Sequence, residues 1–402
     1  ESDASHNLKG RVKVAEGLTS SSAAIAGGTG FIDFDETTHQ GKYSLTEPIY
    51  QDQSKENFTT PITNTVADTE YTDDGVRKSD GRYVFTKDKT TITTSGTSIP
   101  GGANLSANLN AGISNVDTTK RLPIDLKGHD LTVSVNAVGH TTGISAIGDG
   151  SEVVINNAGN LDIKSVGTGM DAALFVNGGG KITINARDGK VIKLRTEAAL
   201  PTNGAVVKSM NGASGVRSSI TLNGQVDIEA DGAKSNEAVS AVASDIRISG
   251  GAIKAVNGAQ WAVRAYKEMI STNEGRVYIN VAEDAAGAAT GAKDNQTVIE
   301  GNFSTSGSMG AKGVINVGLN TADSSWTGDY TENNDGSVNL WMGRNATWTG
   351  KTGTNSNLNL NLYGSGSLWK MTGSSHIRDM KASNQTGRNL IDLTATQDTD
   401  RL

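Results

Sequence analysis

Two adjacent carboxylates are the residues of this chain that come nearest to an acid–base pair. Asp73 and Asp74 precede a glycine, and paired carboxylates can act as general acid and general base when a glycosidic bond is cleaved. Arg264 and Lys267 stand three residues apart, which is the wrong spacing for the basic pair of such a site. The sequence therefore predicts no catalytic residue, and a polysaccharide lyase or hydrolase stays as an alternative.

Serine chemistry and metal binding find no better support. Gly148-Asp149-Gly150-Ser151 lies between two predicted strands, where a tight turn needs such residues. Gly27 to Asp33 nearly matches a calcium-binding nonapeptide, but the motif occurs once. Cysteine is absent, which excludes disulfides and thiolate ligands. The histidines lack the spacing of metal ligands: His6, His39, His129, His140 and His376. We predict no metal and no cofactor.

The charge distribution argues against a nucleic-acid partner. The net charge is -7, and residues 1–80 hold 14 acidic and 7 basic side chains, so the rest of the chain is balanced. No run of Lys or Arg could follow a phosphate backbone. The acidic segment from Asp33 to Asp80 is interpreted as a solvated surface, with calcium binding as an alternative.

Short strands recur along most of the chain. An aliphatic residue, an outward residue and a second aliphatic residue, usually followed by Asn, form one repeated pattern, which predicts strands with one row of side chains inside and one in water. The second aliphatic positions are predicted to lie in one file: Val135, Ile155, Ile184, Leu222, Ile248, Ile279 and Ile315. The asparagines are predicted to form a column at tight corners, where Asn tolerates a left-handed backbone.

Tryptophans near the C-terminus repeat at one interval. Trp326, Trp348 and Trp369 are 22 and 21 residues apart in similar Trp-Thr-Gly contexts. A fixed period of this length indicates repeated units that pack only against their neighbours. With several short strands and glycine corners per unit, we predict an all-β chain that forms a parallel β-helix. The three tryptophans are predicted to stack on one another; stacking of Trp261 or Trp326 on sugars is the alternative.

The repeat divides the chain into three parts. Residues 1–80 lack it and are predicted to form an acidic, irregular N-terminal cap or subdomain, which would cover the open sheet edge of the first unit. Residues 81–380 are predicted to form the parallel β-helix with loop insertions. Residues 381–402 form a polar C-terminal tail.

The C-terminal repeats carry a family resemblance. With Asn339-Leu340-Trp341 and Asn361-Leu362-Tyr363 between the Trp-Thr-Gly units, the chain resembles passenger domains of monomeric autotransporters, the self-secreting type V proteins of Gram-negative bacteria. The resemblance covers residues 120–380 as a pattern. It implies a right-handed parallel β-helix (β-solenoid) and a translocator barrel that is missing here, so that the chain is a passenger secreted to the cell surface and tethered to the outer membrane.

The family resemblance also implies the function. We expect a non-catalytic, monomeric adhesin that attaches to host extracellular matrix, host glycans or other bacteria, with self-association leading to biofilm. A structural stalk or a phage-type fibre stays as an alternative. Outward positions are predicted to form one binding row: Thr183, Thr221, Arg247 and Tyr278. Insertions near 196–214 and 283–296 are predicted to protrude as recognition loops.

Overall fold

The described part of the chain is all-β. The computed structural model describes residues 62–64, 74–79, 81–91, 97–99, 109–198, 204–211, 216–267, 273–305, 312–331 and 335–394, and the backbone of a few earlier strands. The strands, in chain order, are β1 (Val12–Lys13), β2 (Phe31–Asp35), β3 (Gln40–Ser44), β4 (Glu56–Asn57), β5 (Ile62–Thr63), β6 (Val76–Ser79), β7 (Arg82–Phe85), β8 (Lys89–Thr91), β9 (Thr97–Ile99), β10 (Leu109–Asn115), β11 (Arg121–Asp125), β12 (Leu131–Asn136), β13 (His140–Ile147), β14 (Glu152–Ala158), β15 (Leu161–Gly167), β16 (Asp171–Asn177), β17 (Lys181–Ala186), β18 (Val191–Ala198), β19 (Ala205–Met210), β20 (Ser219–Asp231), β21 (Glu237–Val242), β22 (Asp245–Val256), β23 (Trp261–Tyr266), β24 (Gly275–Ile279), β25 (Val281–Glu283), β26 (Ala289–Ala292), β27 (Thr297–Glu300), β28 (Phe303–Ser304), β29 (Gly313–Leu319), β30 (Ser325–Thr327), β31 (Ser337–Met342), β32 (Thr347–Gly350), β33 (Leu358–Gly364), β34 (Leu368–Met371), β35 (Asp379–Gln385) and β36 (Leu390–Asp392).

Most strands belong to three series in which each member pairs in parallel with the next. Series A contains β7, β11, β14, β17, the first half of β20 and of β22, β24, β29, β31, β33 and β35. Series B contains β8, β12, β15, β18, the second half of β20 and of β22, β27, β30, β32, β34 and β36. Series C contains β5, β10, β13, β16, β19, β21, β23 and β28. From β10 to β28 the chain visits the series in the order C, A, B.

One aliphatic file lies inside series A. Ile155, Ile184 and Leu222 are register partners in successive strands and are fully buried, as predicted. The file begins with Ile124 rather than Val135, because Val135 belongs to series B and lies opposite Ser165. It continues from Ile279 into Val317, whereas Ile315 is the partner of Val277. The two ends of the predicted file were therefore wrong.

The tryptophans continue a second file, which lies inside series B. Residues Val133, Ile163, Leu194, Ile228, Ile253, Ile299, Trp326, Trp348, Trp369 and Ile391 occupy the same register position in successive strands. The rings of Trp326 and Trp348 stack with centroids 4.9 Å apart, and those of Trp348 and Trp369 with centroids 4.4 Å apart. The predicted stacking is confirmed, and the rings take the place of aliphatic residues in this file.

An asparagine ladder marks one corner of series A. Asn185 Nδ2 donates to Asn156 Oδ1 at 2.7 Å, and Asn223 Nδ2 donates to Asn185 Oδ1 at 2.7 Å. The predicted column is therefore confirmed over these three residues. Of the predicted column, Asn280 alone has a left-handed backbone, with φ of 52°. Amide-to-amide bonds, more than backbone conformation, account for Asn at this corner.

Parallel pairing crosses both predicted boundaries of the β-helix. Upstream of residue 81, β4 pairs with β8 and β5 pairs with β10. Downstream of residue 380, β35 and β36 extend series A and B to Asp392. Within the predicted N-terminal cap, β1, β3 and β2 form a small antiparallel sheet.

Candidate functional site

The predicted binding row exists as a register column, but it is not uniformly accessible. Thr183, Thr221, Arg247 and Tyr278 are successive partners in series A. The first three are half-buried, while Tyr278 is only 5% exposed. The expectation that Tyr278 faces solvent is wrong.

A hairpin explains this difference. Strands β25 and β26 pair antiparallel, and Tyr278 Oη donates to the Gly287 carbonyl at 3.1 Å in the connecting turn. Arg247 lies 4.7 Å from the centre of the Tyr278 ring and donates hydrogen bonds to both carboxylate oxygens of Glu283. Burial raises the pKa of Tyr278. The insertion at 283–296 thus packs on the sheet instead of protruding.

The other predicted loop is also partly sheet. Within 196–214, the described residues include the end of β18 and the whole of β19, and β19 pairs with β16 and β21 in series C. Residues 199–203 and 212–214 lie outside the described residues. The recognition loop expected here contains a strand of the nine-stranded sheet.

A polar cleft of about 750 Å³ lies at the asparagine corner of series A. We call it the amide cleft; it is lined by Arg82, Pro123, Ile124, Asp125, Asn156, Asn157, Asn185, Ala186, Arg187 and Asp188. The sequence pattern indicated the asparagine column but not the cleft, because Arg82 and Arg187 reach it from a separate strand and a turn.

Parallel register and a bulge position the cleft residues. Asp125 and Asn156 are register partners at the ends of β11 and β14. Between β14 and β17 the register shifts, so that two residues, Asn156 and Asn157, stand opposite Asn185. Asn157 adopts a left-handed conformation, with φ of 51°. Such a bulge redirects side chains at the edge of a ladder, and here it turns successive amides toward the cleft.

The carboxylate of Asp125 is held ionised. Its Oδ1 accepts hydrogen bonds from Asn157 Nδ2 and from the Lys127 backbone N–H, both at 3.0 Å, and its Oδ2 lies 3.2 Å from Lys127 Nζ. Burial raises the pKa of Asp125, but these hydrogen bonds outweigh it and hold the pKa below its ordinary value. A carboxylate of this kind accepts hydrogen bonds from a ligand.

The asparagine ladder does not use all the N–H groups and lone pairs of its amides. An Asn amide has two N–H groups and an oxygen with two lone pairs, and the ladder uses one N–H and one lone pair of Asn185. The cleft therefore combines amides with two arginines, Arg82 and Arg187, and two carboxylates, Asp125 and Asp188. Its formal charge is balanced, and this lining suits an uncharged polar ligand.

The sequence motifs that resemble catalytic groups have structural roles. Lys87 pairs with Asp74, and Arg264 pairs with Glu237 at 2.6 Å. Ser151 is buried and donates to the Asn115 carbonyl at 2.7 Å, in a turn whose glycines have positive φ. Asp73 lies outside the described residues. Among the described residues, no three His, Cys, Asp or Glu side chains are grouped so that they could hold a metal ion.

Asp171 is a fully buried carboxylate away from the cleft. Its Oδ1 accepts from the Thr141 N–H at 2.8 Å and from Thr141 Oγ1 at 2.9 Å, while Oδ2 has no hydrogen-bond partner within the described part of the chain. Burial raises the pKa of Asp171 in spite of the bonds from Thr141. Perturbed carboxyls often mark active sites, but Asp171 is fully buried and is not among the residues that line the cleft. Sequence reasoning gave no indication of it.

This burial predicts a pH-dependent stability. Since the folded chain holds the Asp171 proton more tightly than the unfolded chain, the contribution of Asp171 to stability is greatest below the ordinary pKa of 3.8 and falls as pH rises through the raised pKa. Replacing Asp171 by Asn should remove this fall. Urea unfolding of both proteins at about pH 3, 5 and 7 measures this fall in stability. The exposed turn variant Asp149→Asn is the control, and a difference between wild type and Asp171→Asn that does not change with pH would contradict the prediction.

No protein-family model, no curated protein and no solved structure matches the chain. Within the part of the chain that the structure describes, no helix has the length and apolar character needed to cross a membrane.

Proposed function

We propose that the chain is a non-catalytic cell-surface adhesin, the passenger of an autotransporter, whose three strand series wind as one right-handed parallel β-helix. The regular C, A, B order of the strands supports this winding, because it brings each series back one strand spacing further along. The eleven described strands of series A, at about 4.8 Å each, would extend over roughly 50 Å.

The observation that carries the proposal is the amide cleft. Amides, arginines and carboxylates with balanced charge bind hydroxyl and amide groups through directed hydrogen bonds. The half-buried Thr183 and Thr221 extend the same face beside the ladder. A glycan or a glycosylated matrix protein on a host cell, or on a neighbouring bacterium, presents such groups in quantity. Many copies on one cell surface would multiply weak contacts.

The cleft suits binding better than catalysis. A general acid needs a pKa near the working pH, whereas the pKa of Asp125 is held low by Asn157 and Lys127. We therefore propose attachment without cleavage, with no cofactor and with the chain acting as a monomer.

A bead assay tests the proposal. Fluorescent beads that carry the purified chain are layered on epithelial cells, on matrix proteins and on a second batch of coated beads, and the retained fraction is measured after washing. We expect retention on at least one surface and a loss of about threefold or more for Arg187→Ala, which removes an exposed cleft donor. Retention no higher than that of beads coated with albumin on all three surfaces would refute adhesion.

A matched variant separates the cleft from the turn that carries it. Lys190 lies in the same turn as Arg187 but does not line the cleft. Lys190→Ala should leave retention unchanged. Equal losses for both variants would place binding outside the cleft.

A further inference from the structure

A second outward cluster lies on series A, five strand spacings from the Asn185 end of the amide cleft. It contains Trp341 on β31 and Tyr363 on β33, both half-buried. Trp341 is the register partner of Gly318 on one side and of Asn361 on the other. Unlike Trp326, Trp348 and Trp369, it points away from the core. An aromatic ring on the outer face is unusual in a chain with 5% aromatic residues.

The hairpin described above forms one wall beside Trp341. A Cβ atom added to Gly318 would meet the Ala292 Cβ at 2.5 Å, so β26 lies directly over that glycine. The neighbouring position on the other side, Asn361, carries a polar side chain. Of the two register neighbours of Trp341, one is therefore covered by β26 and the other carries an amide.

Tyr363 lies across Gly343 toward Asn320. A Cβ on Gly343 would lie 2.7 Å from Tyr363 Cε2, 2.9 Å from Tyr363 Cζ and 2.7 Å from Asn320 Oδ1. The absence of a side chain at Gly343 lets the phenol ring approach the amide. The tyrosine ring and the Asn320 oxygen are therefore close neighbours, on the same outer face as Trp341.

Two polar atoms of this cluster lack partners. Tyr363 Oη and Asn320 Oδ1 are buried, and neither has a hydrogen-bond partner among the residues that the structure describes. Asn320 is 3% exposed, and its Nδ2 donates to Asp294 Oδ1, which fixes the amide with its oxygen turned to the other side. Buried polar groups are rarely left without partners. One hydroxyl group that accepts from the phenol and donates to the amide oxygen would satisfy both atoms.

The rim of the cluster is charged but balanced. Arg344 pairs with Asp294 at 2.9 Å, and both side chains are more than half exposed. Burial, together with the Asp294 carboxylate, raises the pKa of Tyr363, so the phenol keeps its proton and acts as a donor. A charged ligand finds no uncompensated partner here.

We propose that Trp341, Tyr363 and Asn320 form a binding site for a neutral glycan with a pyranose ring. The apolar C–H face of the sugar packs on the indole of Trp341, because an aromatic face is apolar and carries a negative quadrupole that attracts C–H groups. One sugar hydroxyl accepts from Tyr363 Oη and donates to Asn320 Oδ1. Asp294 and Arg344 at the rim bond further hydroxyls. The site gives the proposed adhesin a ligand class, and its biological use rests on that proposed function.

Binding in solution tests the site separately from adhesion. The purified chain is titrated with chitotetraose, maltotetraose and lacto-N-neotetraose, and binding is followed by calorimetry and by tryptophan fluorescence. We expect millimolar or tighter binding of at least one oligosaccharide. Trp341→Ala should weaken it about tenfold or more, as expected for loss of an aromatic anchor. Tyr363→Phe, which keeps the ring and removes the hydroxyl, should weaken it about threefold or more.

Trp261 supplies the matched control. It is also half-buried, but it lies on β23 of series C. Trp261→Ala should leave binding unchanged, and thermal unfolding should show that all variants are folded. If Trp341→Ala proves unstable, Trp341→Phe is used in its place. This variant keeps an aromatic face and should bind the sugar with intermediate affinity.

Three results would overturn the site: no binding of any of the three sugars, equal loss in Trp261→Ala and Trp341→Ala, or full binding by both Trp341→Ala and Tyr363→Phe. Oligosaccharide binding without bead retention would keep the site and refute adhesion. Bead retention that depends on Arg187 but not on Trp341, with no sugar bound, would keep the adhesin and refute this site.

Discussion

Replacing Trp348 by alanine is expected to lower the free energy of unfolding by about 3–5 kcal/mol, which is the usual cost of truncating a buried aromatic residue. Trp348 is fully buried between Trp326 and Trp369, with stacked rings on both faces. Its Nε1 donates to the Gly328 carbonyl at 3.1 Å. The variant therefore loses apolar burial and two ring contacts, and it leaves a carbonyl without its indole partner.

Urea unfolding followed by circular dichroism measures the effect. Trp341→Ala is the matched control, because Trp341 belongs to the neighbouring series, faces outward and is half-buried. We expect its loss to be less than about half as large. A Trp348→Ala protein that unfolds at the same urea concentration as the control would mean that the ring stack contributes little to the core.

The tryptophan file shows what a repeat can and cannot predict. The spacing of Trp326, Trp348 and Trp369 correctly indicated a stack, since equal intervals place residues at one register position. It did not indicate that the stack continues Ile299 and ends on Ile391. An aliphatic residue and an indole look different in sequence, although both fill the same inward position.

Alternation predicted the strands but not which strands pair. The segments around Val135 and Ile155 share the same local pattern, yet they belong to series B and series A. Period two specifies the face of a strand and says nothing of its neighbour. Ile315 was placed in the file for a similar reason, because an Asn follows it. Asn316, however, is an outward residue of β29 and not a corner residue.

The functional faces depend on tertiary contacts that a single pattern does not contain. Thr183, Thr221, Arg247 and Tyr278 were correctly placed in one column, but the hairpin that covers Tyr278 comes from an Ala-rich insertion without strong periodicity. The amide cleft needs Arg82, which lies far from Arg187 in the chain. The sequence could predict the asparagine ladder at the cleft, whereas Arg82 and Arg187 come together only in the folded chain.

The second large loss of stability is expected where the backbones of two neighbouring strands are in close contact. Gly251 is the register partner of Val226 in series B, and its φ is 112°. A Cβ there would lie 2.2 Å from the Val226 carbonyl oxygen and 2.3 Å from its nitrogen. Gly251→Ala should therefore cost about 3–5 kcal/mol, from a left-handed backbone and from overpacking.

The strand cannot move away without losing the pairing on both of its sides, since Gly251 also faces Thr297 of β27. Gly291→Ala is the control, because a Cβ at Gly291 meets no atom of the described residues within 4 Å, and it should change stability by no more than about 0.5 kcal/mol. Urea unfolding of the two variants provides the comparison. Equal midpoints would show that series B tolerates a side chain between Val226 and Thr297, so that its strands are not held at backbone contact distance.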